Sequence, residues 1–194
     1  GSVSTSGSWD SLSANDIKPG FNEQLKILTD NGVDLIILEA MTSSNSTVET
    51  LIECSHKFNI PIWLSLSCAM NITNGKLMHG YQESLENSKA YFYDDLEKSL
   101  SKFCKIHKGP ILIAHSDIKV TNEAVKILKK VHNNFIGAYP NNGYFEKPNW
   151  KFVDNITSSK YLSEARSWVS SGAQIIGGCC GIGPDKIKAI SILK

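Results

Sequence analysis

The chain has 194 residues, 41% of them hydrophobic, which suffices for one sizeable core and is short for two. Its 20 basic and 19 acidic residues leave a formal net charge of +1, so the basic footprint of a nucleic-acid binder is missing. No apolar run approaches the roughly 20 residues of a membrane span, and the uncharged, Ser/Gly-rich start does not read as a secretory leader.

From Gly1 to Gly20 the sequence is turn-rich, with Ser-Gly-Ser and Lys-Pro-Gly punctuation, and reads as a loop, with a strand end at Ser2-Val3-Ser4. Phe21, Leu25 and Leu28 have helical spacing up to a stop at Asn31-Gly32. Val33 to Leu38 is an apolar run of strand length ending at Glu39, apolar on both faces as a buried parallel strand requires. Ser43 to Ser46 offer N-caps for a helix to about Phe58, with Val48, Leu51, Ile52 and Ser55 on one face.

Ile60 to Leu66 is the next strand, Pro61 being tolerable at its start. Asn71 to Gly80 reads as a long active-face loop, Glu83 to Ala90 as a short helix, and Tyr91 to His107 as a longer one. Pro110 to Ala114 is a strand ending in His115-Ser116-Asp117, followed by a helix capped by Thr121 with Lys126, Lys129 and Lys130 towards its C-terminus. Phe135 to Ala138 is a strand running into Tyr139-Pro140-Asn141-Asn142-Gly143. A variable loop with Trp150 leads to a helix from Lys160 to Ser171. Strand Ala173 to Gly177 and helix Asp185 to Leu193 close the chain.

Alternating strands and helices predict an α/β protein with a parallel sheet, either a barrel or a doubly wound sheet. No G-x-G-x-x-G or P-loop motif follows a strand, which argues against a nucleotide fold. In barrels the chemistry sits at the C-terminal ends of strands. Glu39, Ser67-Cys68, His115-Ser116, Tyr139-Pro140-Asn141 and Cys179-Cys180 all fall there, the pattern of one shared site. Adjacent cysteines at a strand-to-helix turn are poorly placed to bond each other and well placed to share one soft metal. The five cysteines (Cys54, Cys68, Cys104, Cys179, Cys180) are an odd number without disulfide-like spacing, which favours a reducing, cytoplasmic setting. Cys54, Cys68 and Cys104 read as structural, and Trp63 and Trp168 as packing.

The run Gly177-Gly178-Cys179-Cys180-Gly181 resembles the zinc-binding GGCCG of the homocysteine S-methyltransferase family. Further stretches agree, in the family's order. Asn31 to Glu39 is similar to its GVDLLLFET, Pro61 to Ser67 to its PVWxSFS, and Ala138 to Gly143 to its VYPNSG, with Trp150 matching a following tryptophan. The resemblance implies a (β/α)8 TIM-barrel family member, here incomplete with about five to six βα units and lacking the N-terminal ones. It implies zinc held by Cys179 and Cys180, and Glu39 binding the amino group of homocysteine beside a pocket wall at Asn141. A homocysteine thiolate on zinc would take a methyl group to give methionine, the donor being S-methylmethionine or S-adenosylmethionine.

The sequence departs from the family at the third zinc thiolate, where an Asn-Cys pair is replaced by His115-Ser116. A serine hydroxyl keeps its proton and is a poor zinc ligand, whereas zinc accepts imidazole in mixed Cys/His sets. His115 substitutes if the backbone shifts by one residue; otherwise the site has two thiolates or is vacant. Two functions follow: a methyltransferase, or a degenerate, inactive or regulatory homologue. Open barrel edges call for a homo-oligomer or a partner chain.

Overall fold

The computed structural model describes residues 13–82, 90–146, 149–151 and 156–193. In chain order its elements are α1 (Ala14–Asp30), β1 (Ile36–Met41), α2 (Asn45–Ser55), β2 (Ile62–Leu66), β3 (Cys68–Asn71), β4 (Lys76–Gln82) and β5 (Ala90–Asp95). There follow α3 (Leu96–Ile106), β6 (Ile111–Asp117), α4 (Ile118–Val131), β7 (Ile136–Asn141), β8 (Tyr144–Glu146) and β9 (Asn149–Lys151). Helix α5 (Ser158–Ser170), β10 (Ile175–Ile176), α6 (Pro184–Ile190) and a 3-10 turn at Ser191–Leu193 end the chain.

Five strands form one parallel sheet in the order β1-β2-β6-β7-β10. Spatial order follows chain order with no reversal. That is how a (β/α) barrel wall winds, whereas a doubly wound sheet turns back at a switch point. Leu64, Leu66, Ile111, Ile113, Ile136 and Ala138 are all closed to solvent, but the run expected to be buried on both faces is not: in β1 Ile36 and Leu38 are buried while Ile37 is exposed. Leu100 and Phe103 of α3, Val125 and Leu128 of α4, and Trp168 of α5 belong to the same core. Each large side chain so buried contributes on the order of 1.5–3 kcal/mol. Among the described residues no helix is long and apolar enough to cross a membrane.

Several elements differ from the sequence reading. Helix α1 begins at Ala14, not Phe21, so Lys18-Pro19-Gly20 lies within it. A capping box between Ser13 and Asp16 and the burial of Ile17 outweigh the local turn signal. The strand end expected at Ser2-Val3-Ser4 lies outside the described residues. Strand β1 sits three residues later than the apolar run, because its pairing with β2 starts at Ile36↔Ile62. Helix α4 is capped by Asp117, whose Oδ1 accepts from the Lys119 amide, and Thr121 lies inside the first turn instead.

The largest correction concerns 68–95. The expected loop is an antiparallel arm, β3-β4-β5, and the helix expected from Tyr91 starts only at Leu96, where Asp95 caps it. Cross-strand pairing decided this, with Tyr81 stacked on Tyr91 at 5.2 Å. The short helix expected over Glu83 to Ala90 falls mostly outside the described residues; Ala90 itself is in a strand. Likewise the loop around Trp150 is in part a two-stranded hairpin, β8-β9.

Candidate metal centre

At the C-terminal ends of the parallel strands the structure brings together three of the residues singled out. His115, Cys179 and Cys180 each offer a ligand atom, all within 4.8 Å of one another and half-buried. The Cys179 and Cys180 Sγ atoms are 3.8 Å apart, and His115 Nδ1 is 3.9 Å from Cys179 Sγ. Four ligands around zinc at about 2.3 Å Zn–S place two sulfurs roughly 3.8 Å apart at the corners of a tetrahedron. The donor set therefore fits a tetrahedral ion with one open corner.

The cysteine loop is held against the end of β7. Gly177 N–H donates to Ala138 carbonyl, Cys179 N–H to Pro140 carbonyl and Asn142 N–H to Cys180 carbonyl, at 3.0, 2.8 and 2.8 Å. Tyr161, fully buried on α5 and edge-on to Trp168, donates its hydroxyl proton to the Gly177 carbonyl. Glycine at 178 is obligatory by space, since a Cβ there would meet Ile182 Cγ2 at 2.2 Å. Gly181 closes the loop at φ +77°, a left-handed conformation.

His115 reaches the thiols through a backbone irregularity. The β6–β7 register shifts between Ala114 and Asp117, and His115 has φ +46°. Its neighbour Ser116 is turned into the protein, accepting from the Cys68 amide at 2.9 Å and donating to the Ala114 carbonyl at 2.8 Å. Of the two residues at this position, then, the imidazole stands beside the thiols and the hydroxyl does not.

The remaining residues take different places. Glu39 is exposed at the end of β1, near enough for its charge to raise the pKa of both Tyr139 and Cys180. Asn141 is buried at the end of β7; its Nδ2 donates to the Gly143 carbonyl, while its Oδ1 has no partner. Cys68 is buried in β3, and desolvation pushes its thiol up to about 11, as suits a structural residue. Tyr139 donates to Ser65 Oγ at 2.6 Å, and burial holds its hydroxyl well above the usual range.

The thiols of the centre are shifted in opposite directions, Cys179 down and Cys180 up. The contact with Cys180 favours the Cys179 thiolate against the effect of burial, and the neighbouring His115 ring adds to it. Cys180, donating to that thiolate and half-buried, is held protonated. Sequence reasoning named Ser67 among the strand-end residues but passed over Ser65, Tyr81 and Tyr161. Of these, only Ser65 carried a signal, a serine between the buried leucines Leu64 and Leu66 of β2.

A family model described as "Homocysteine S-methyltransferase" matches residues 1–193. "Homocysteine S-methyltransferase 3" of Zea mays is 27% identical over 183 residues, 90% of this chain and 48% of that protein. "Selenocysteine methyltransferase" of Astragalus bisulcatus is 24% identical over 188 residues, 93% of this chain and 50% of that protein. The metallated form of the homocysteine methyltransferase MmuM from Escherichia coli superposes with a TM-score of 0.67 at 16% identity, covering 97% of this chain and 54% of that one. The chain thus spans about half the length of these relatives. A cysteine pair at the end of an in-order parallel barrel wall, and a family match along nearly the whole chain, lead to one conclusion: the chain belongs to the homocysteine S-methyltransferase family.

Proposed function

We propose that this chain holds a zinc ion through His115 Nδ1, Cys179 Sγ and Cys180 Sγ, and that the site serves methyl transfer to the thiol of homocysteine, giving methionine. The carrying observation is the convergence of the three ligand atoms within 4.8 Å. Bound there, zinc would supply Lewis acidity that keeps an acceptor thiol deprotonated at neutral pH. Two thiolates and a neutral imidazole balance a divalent charge, leaving the protein ligand set one unit less negative than three thiolates.

In this reading the chain's own residues position the acceptor: Glu39 would pair with its ammonium group, and a substrate N–H would satisfy the Oδ1 of Asn141, which has no partner among the described residues. Sulfur then forms its new S–CH3 bond as the donor's S–CH3 bond breaks. A sulfonium donor, S-methylmethionine or S-adenosylmethionine, departs as a neutral thioether. Holding the reacting atoms in line is the protein's main contribution.

Metal analysis of the purified protein tests this: about one zinc per chain, lost in Cys179→Ser, is expected together with homocysteine-dependent methionine formation. Protein without zinc, and with stability unchanged by Cys179→Ser, excludes the reading.

A second reading is an inactive or regulatory chain that pairs with another. Among the described residues β1 and β10 stand at the edges of the five-stranded sheet, where another strand can pair. Sedimentation of a well-folded monomer would contradict that association.

A further inference from the structure

Resting on the metal-centre reading above, we infer that Ser67 and Ser116 are positioning residues, which lock His115 in the backbone conformation that carries its imidazole to the cysteines. A regular strand turns successive side chains to opposite faces, so His115 and Ser116 cannot both meet the thiols. The kink at His115 decides between them. Its φ of +46° is unfavourable for an L-residue, whose Cβ crowds the backbone there, and needs support from its surroundings.

That support comes from the adjoining chain at the end of β2. Ser67 Oγ–H donates to the His115 carbonyl, and the next residue, Cys68, donates its amide to Ser116 Oγ at 2.9 Å. Ser116 Oγ–H in turn donates to the Ala114 carbonyl at 2.8 Å. Two consecutive residues, 67 and 68, thus grip two consecutive residues, 115 and 116, on either side of the kink. Ser67 and Ser116 are both closed to solvent, so no water replaces a lost hydroxyl without opening the core.

The same strand braces its other neighbour in the same way. Ala40, at the end of β1, also has φ +46°, and its amide donates to Ser65 Oγ at 2.7 Å. Ser65 of β2 and Ser67 just past its end lie two apart, one reaching β1 beside Glu39 and the other β6 at His115. A buried histidine neighbour completes the clamp from above: Tyr81 of β4, stacked on Tyr91, has its ring centroid 6.3 Å from that of His115.

The test compares Ser67→Ala and Ser116→Ala with a control, Ser99→Ala, which removes an equally buried hydroxyl that bonds α3 to Asn45 of α2. Zinc affinity by chelator competition should fall at least about tenfold in the first two and stay level in the control. The cobalt-loaded absorption spectra of the first two should move towards that of His115→Ala. Crystals of metal-free Ser67→Ala should show residue 115 returned to negative φ. Affinity and spectrum matching the control, or an unchanged positive φ, overturn the brace. If Ser67→Ala does not fold, Ser116→Ala carries the same readouts. If the parent protein binds neither zinc nor cobalt, the metal reading fails instead, and φ at 115 in the metal-free variants still judges the brace.

Discussion

His115 Nδ1 lies 3.9 Å from Cys179 Sγ although β6 and the loop after β10 are separated in the sheet by β7. The contact spans 64 residues of sequence and depends on the kink at φ +46°. Replacing the imidazole removes one donor of three. His115→Ala should weaken zinc binding by at least about 100-fold, beyond what loss of a supporting hydrogen bond produces. His115→Cys should retain tight binding and intensify sulfur-to-cobalt charge-transfer absorption. Equal zinc affinity in the parent and His115→Ala, by competition with a chromophoric chelator, would place the third ligand elsewhere.

Thiol reactivity should separate the cysteines. In metal-free protein the Cys179 thiolate is favoured by its hydrogen bond from Cys180, whereas burial pushes Cys68 up to about 11. Since thiolate is the nucleophile, iodoacetamide at pH 7 should label Cys179 first and leave Cys68 untouched until unfolding. Peptide mass mapping at early times reads the order, and zinc should protect the pair. Early labelling of Cys68 would contradict the buried placement.

Gly178→Ala should damage the cysteine loop. The new Cβ meets Ile182 Cγ2 at 2.2 Å and Ile182 Cβ at 2.6 Å, so the loop or the isoleucine must move. A destabilisation of about 1–3 kcal/mol is expected from overpacking of this kind. Trimming the obstacle in Gly178→Ala/Ile182→Ala should recover part of it, so the two changes couple in a thermal-denaturation cycle. Simple additivity of the two would show that the contact is not what requires glycine.

Stability should fall on mild acidification because of a histidine pair at the opposite ends of the strands. His107 is buried, its Nε2–H donating to the Pro110 carbonyl at 3.3 Å, and its Nδ1 accepts from His56 Nε2 at 3.3 Å. The rings stack at 5.5 Å. Desolvation is the main cause that holds His107 down at about 4 from its usual 6.5, with the charges of His56 and His132 adding to it. Burial lowers His132 as well. Between pH 6.5 and 4 the unfolded chain binds more protons at His107 than the folded one, so stability is full above pH 6.5 and declines as pH falls through this window. Urea unfolding at pH 7.5 and 5 should show the loss, and His107→Phe should flatten it. An unchanged slope in that variant would assign the acid sensitivity to other groups.

Much of the barrel wall was legible locally. Apolar runs such as Ile111 to Ala114 and helix faces such as Val48, Leu51, Ile52 and Ser55 carry their period in adjacent residues, and all of these are buried. The paired cysteines between glycines were equally plain, because glycine at 178 and 181 answers to needs of the loop itself, close approach and left-handed φ. The arm over 68–95 was not legible. Its strands owe their form to pairing with one another, as Met78 faces Asp95 and Tyr81 faces Tyr91, and local spacing had suggested a loop and a helix.

The choice between His115 and Ser116 shows the division most clearly. Residue type alone determined that a serine is a poor zinc ligand and that an imidazole nearby is a good one. It could not determine which of two neighbours on one strand faces the cysteines. That follows from a backbone rotation at 115, and the rotation is held by hydroxyls and amides of a different strand, Ser67 and Cys68, brought alongside only when the sheet forms. Chemistry of the donor atoms is a property of the residues in order. Their convergence within 4.8 Å is a property of strand pairing, because hydrogen bonds between distant segments stabilise a conformation that an isolated strand would not adopt.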